Sequence, residues 1–132
     1  MKRSALYYLP ALCWTALILL LTLLPGKDVP NTFFDRIPYF DKWVHATLFL
    51  GFVILWSWGL YKNRSSRHFL PALIIIALAG IMLGIGIEYL QRTKLVGRDF
   101  DVWDMVADAT GALVAVVILY LLLRKKRSGK DT

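Results

Sequence analysis

A single cysteine, Cys13, lies inside an apolar run, which excludes a disulfide framework and any multi-cysteine metal site within one chain. A lone thiol in that setting packs as a small hydrophobe. Acids are scarce and unevenly placed: of the nine, eight (Asp28, Asp35, Asp41, Glu88, Asp99, Asp101, Asp104 and Asp108) fall on one side of the apolar layout described below. There is no internal repeat, no low-complexity tract, no Ser-His-Asp pattern and no recognised metal-binding motif. The formal charge of +7 raises the question of nucleic acid. The basic excess sits at one end and in one short loop rather than along a contiguous face, so nucleic acid is set aside as a partner.

Apolar residues, by contrast, make up 58% of the 132 positions, too many to bury in one small soluble domain. They fall into four runs, 6–24, 43–60, 70–90 and 102–123, each near the roughly 17 to 25 residues that a helix needs to cross a bilayer. The first follows Lys2 and Arg3 as a signal peptide would, but it is too long and Pro25-Gly26-Lys27 is no small-residue cleavage site, so it reads as a retained helix. The expected fold is an all-α integral membrane four-helix bundle over 1–123, followed by a basic, disordered cytoplasmic tail at 124–132.

Lys and Arg in short loops stay preferentially in the cytoplasm. Ten of them (Lys2, Arg3, Lys62, Arg64, Arg67, Arg124, Lys125, Lys126, Arg127 and Lys130) fall on one side and six on the other. Both termini are therefore expected in the cytoplasm, with the chain in the cytoplasmic (inner) membrane. Tyr7, Tyr8, Trp58, Tyr61 and Tyr120 suit the inner headgroup belt, and Tyr39, Trp43, Tyr89 and Trp103 the outer one. Trp14 and Trp56 lie deeper and need packing partners. The connection from Pro25 to Asp41, rich in Phe and Pro, is expected to lie on the outer surface as a partial lid.

Ionisable residues within a span are costly and face a bundle interior or a cavity. The second run opens with DKWVH, which sets Asp41 and His45 on one face. The third ends with Glu88 and Gln91 three apart, and the fourth opens with Asp101, Asp104 and Asp108 in one stripe. Alternating helix directions bring all three groups to the outer end. Gly80, Gly84 and Glu88 repeat every four residues, and Asp104 and Asp108 run on into Gly111, Ala112 and Ala115; small residues let helices approach closely. Packing those faces together would carry Glu88 to the aspartates. Plainer roles are also open. Asp101 and Asp104 suit a helix N-cap, Lys42 can snorkel, His45 can be an interfacial histidine, and Arg98 can pair with an acid or a lipid phosphate.

The DKWVH segment (Asp41 to His45), the IEYLQ segment (Ile87 to Gln91) and the string from Arg98 through Asp104 to Gly111 together resemble the VanZ-like family of small membrane proteins, named for an accessory protein of glycopeptide resistance. The resemblance implies a polar site at Asp41, Lys42, His45, Glu88, Gln91, Arg98, Asp104 and Gly111, and a link to teicoplanin susceptibility for some members. One departure is Asp108, where the family commonly has Asn. A further carboxylate so close to Glu88 and Asp104 implies a retained proton or a bound divalent metal. Three readings compete. The first is a cell-envelope protein whose ligand-binding residues, Asp108 included, hold a membrane lipid or a lipid-linked cell-wall precursor. The second is an acid–base or metal-assisted enzyme on such a lipid, with His45, Glu88 and Asp104 as catalytic candidates. The third, a small transporter subunit, lacks inverted repeats and broken helices.

Overall fold

The computed structural model describes residues 5–24, 37–63, 69–93 and 99–128. A 3-10 turn, Ala5–Tyr8, leads into α1 (Leu9–Leu23), followed by α2 (Phe40–Asn63), α3 (Phe69–Gln91) and α4 (Val102–Ser128). The chain is an all-α four-helix bundle, and each helix is long and apolar enough to cross a membrane. The expected lid lies almost wholly at 25–36, outside the described residues, as does Arg98.

Local chemistry sets the helix ends. Pro10 stands in the first turn of α1 and has no N–H to donate to the turn before it, so the chain enters as a 3-10 turn. Leu24 is extended, at φ −61° and ψ 129°, as the following Pro25 requires. Before α2, the Phe40 N–H donates to the Ile37 carbonyl at 3.2 Å, with Pro38 and Tyr39 at the turn's centre. Tyr39 adopts φ 58°, a left-handed conformation that a bulky side chain rarely takes. The helix therefore begins three residues ahead of the expected Trp43 and takes Asp41 and Lys42 into its first turn. At the other end, α4 continues to Ser128, past the expected end at 123. Arg124 and Lys125 are good helix formers, and cations are favoured at a helix C-terminus.

In lipid, close packing and interhelical hydrogen bonds associate helices, because there is no water to expel between them. The core is Ile18 of α1, Leu48, Phe49, Phe52 and Val53 of α2, Leu73, Ala77 and Ile87 of α3, and Ala112 and Ala115 of α4. Leu20, Ile75, Leu78, Met82, Leu113, Val117 and Leu121 face outward, an apolar surface that suits lipid rather than water. The most extensive packing is between α2 and α4, where a Cβ on Gly111 would collide with the Ala46 carbonyl. The two deep tryptophans find their explanation on α1 and α2. Trp14 Nε1 donates to the Leu48 carbonyl at 2.8 Å, with its ring across Gly51, and Trp56 Nε1 donates to Thr15 Oγ1 at 3.1 Å. Such bonds contribute about 0.6 kcal/mol each on average, so the two together bias which face of α1 turns to α2 rather than fixing it alone.

Candidate functional site

The N-terminal turns of α2 and α4 and the C-terminal turn of α3 meet at one end of the bundle, and they carry nearly all of its buried charge. Asp101 stands ahead of α4, where its Oδ1 accepts the Trp103 N–H at 2.8 Å and its carbonyl accepts the Asp104 N–H at 3.1 Å. The positive end of the helix dipole favours both acids. Lys42, in the first turn of α2, sits at the end of a helix that disfavours a cation, and acids compensate. Its Nζ donates to Asp41 Oδ2 at 2.7 Å, to Asp104 Oδ1 at 2.5 Å and to Asp101 Oδ2. The ammonium beside Asp101 holds that carboxyl below its ordinary value of 3.8.

Deeper in the bundle, His45 Nδ1 lies 2.9 Å from Asp108 Oδ1 and Nε2 lies 3.7 Å from Asp104 Oδ2. All three residues are buried or nearly so. Glu88 is wholly buried; its Oε2 accepts the Asp101 backbone N–H at 3.1 Å. Gly84 makes room for Asp108, since a Cβ there would stand 2.6 Å from Asp108 Oδ2. The glycine face of α3 thus meets the aspartate face of α4, and Glu88, Asp104 and Asp108 are brought together with His45.

Gln91 is spent elsewhere: its Nε2 donates to the Thr22 carbonyl at 2.8 Å, tying α3 to α1. Lys42 does not snorkel free, because three carboxylates surround it. Asp101, which reads from its spacing as a cap, is both a cap and a partner of Lys42. The missed signal was a lysine in the first turn of the neighbouring helix at the same depth.

Beside this cluster lies a groove of about 690 Å³ lined by Tyr39, Asp41, Lys42, Asp101, Trp103, Val106 and Ala107. Its polar side is the Lys42 network. Its apolar side runs along α4 through Trp103 and Val106, both exposed on the outside of the bundle. The groove thus pairs a charged side with an apolar one.

No protein-family model matches the chain, and no solved structure matches it. Over 96 residues, 71% of the chain, it is 31% identical to an uncharacterized protein of Schizosaccharomyces pombe. The chain spans about half, 54%, of that relative's length.

Proposed function

We propose that the chain is a VanZ-like protein of the cytoplasmic membrane, with both termini in the cytoplasm, that binds the headgroup of a membrane lipid or a lipid-linked envelope precursor at the outer leaflet. The observation that carries this reading is the groove, which joins a polar floor to an apolar wall exposed along the outside of α4. The orientation rests on ten basic residues against six and on the one-sided acids. The resemblance of motifs adds glycopeptide susceptibility as a phenotype to examine.

Charge narrows the ligand. Three carboxylates already engage Lys42, so it offers little to a phosphate, while the excess carboxylate oxygens suit amines and sugar hydroxyls. The groove therefore selects amine- or sugar-bearing headgroups over a plain anionic phospholipid. The test is native mass spectrometry of the purified full chain with phosphatidylethanolamine, phosphatidylglycerol or a lipid-linked disaccharide-peptide. Wild type should retain the amine- or sugar-bearing lipid. Val106→Trp, which fills the groove, should lose it, and Met82→Trp, on a lipid-facing surface of α3, should not. Equal retention of phosphatidylglycerol, or an unchanged Val106→Trp, would sink the reading.

A further inference from the structure

The Lys42 network accounts for Asp41, Asp101 and one oxygen of Asp104 as a cross-link between α2 and α4. It leaves a second group unexplained. Among the described residues, Glu88 Oε1 and Asp108 Oδ2 are buried carboxylate oxygens with no hydrogen-bond partner. An unmet acceptor in a buried carboxylate is costly. His45 sharpens the point. Its Nδ1 lies 2.9 Å from Asp108 Oδ1, within hydrogen-bond distance. Nε2 lies 3.7 Å from Asp104 Oδ2, too far for a hydrogen bond. A possible ligand atom from each of His45, Glu88 and Asp104 thus lies close to the other two.

We propose that His45, Glu88 and Asp104 hold one divalent transition-metal ion, Mn2+ or Zn2+, with Asp108 orienting the histidine. One donor atom from each of the three lies within 4.8 Å of the others. Ligand atoms about 2.0–2.2 Å from a common ion are at most about 4.4 Å apart, so a small side-chain adjustment closes the site. A metal-bound histidine usually donates its other N–H to a carboxylate, and the Nδ1–Asp108 contact supplies that arrangement. Asp104 divides its oxygens, Oδ1 to Lys42 and Oδ2 toward the ion. The neighbouring trio of Asp41, Asp101 and Asp104 is equally close-set, but the Lys42 ammonium already fills it. One imidazole with two carboxylates disfavours Ca2+, which takes six to eight oxygens, and Mg2+, which is reluctant to lose water. None of the three ligands lines the groove, so the metal site stands whether or not a lipid binds there.

The test uses the full chain in detergent, stripped with a chelator and titrated with Mn2+ while the electron paramagnetic resonance of the free ion is followed. Wild type should take up one ion per chain. His45→Ala and Glu88→Gln should each weaken uptake by about tenfold or more, as loss of a ligand does, and Asp108→Asn by about tenfold. Asp41→Asn, in the Lys42 network, should leave uptake unchanged. A measurement on wild type alone guards against variants that fail to fold: of the two histidine imidazole signals, Mn2+ should broaden that of His45 at low stoichiometry and spare that of His68. The proposal is overturned by wild type showing no saturable uptake, by uptake that His45→Ala and Glu88→Gln leave intact, by equal loss in Asp41→Asn, or by broadening of both histidines alike.

Discussion

At Asp101 a single carboxylate serves two helices, capping α4 with one oxygen and holding Lys42 of α2 with the other. Asn caps about as well as Asp, so Asp101→Asn isolates the ionic half. A carboxyl whose folded value is depressed contributes stability that is fully present above its unfolded value of about 3.8 and is lost as pH falls through the lower folded value. Asp101→Asn should therefore melt below wild type near pH 7. For a pair this exposed the deficit is under about 1 kcal/mol, and the two curves should converge as pH drops below 3.8. Thermal unfolding in detergent across that range checks it, and a gap that persists in acid would mean the ion pair is not its source. The cap was legible because Asp101 and Asp104 lie three residues apart at the head of an apolar run. The ion pair was not, because its partner is 59 residues distant and nothing in a single sequence fixes which helix ends are neighbours. Gln91 shows the reverse: its place beside Glu88 suggested a shared ligand, yet its amide is turned to the Thr22 carbonyl of α1.

Among the helices, α2 is the hub, and that was hidden in the sequence. All four helices are apolar on nearly every side, so periodicity does not point at a partner. What could be read was the run of small residues, and it correctly joined α3 to α4 through Gly84 and Asp108. It did not show that Gly111 of α4 is pressed against the Ala46 carbonyl of α2. Gly111→Ala should therefore lower the melting temperature, with overpacking costing about 1–3 kcal/mol. Gly86 has nothing within 4 Å of where its Cβ would stand, and Gly86→Ala should be neutral or stabilising by up to about 1 kcal/mol, since Ala is the better helix former. Equal effects at the two glycines would mean that α2 and α4 are not in backbone contact there.

For the whole molecule, four spans place the lysine network, the buried carboxylates and the groove together at one end. The spans and the shared depth of the polar groups follow from length, hydropathy and alternating direction, which is why they were legible. The engagement of Lys42 by three carboxylates was not, because two of them, Asp101 and Asp104, lie far from it in the chain, a tertiary matter. The proposed function requires this end to face the outer leaflet, where an envelope lipid can reach it. In a Cys13→Ser background, Asp99→Cys marks the polar end and Lys125→Cys the opposite one, both at exposed positions. A membrane-impermeant maleimide should then label Asp99→Cys in intact cells and Lys125→Cys only after permeabilisation. Labelling of Lys125→Cys alone in intact cells would turn the site toward the cytoplasm and contradict it.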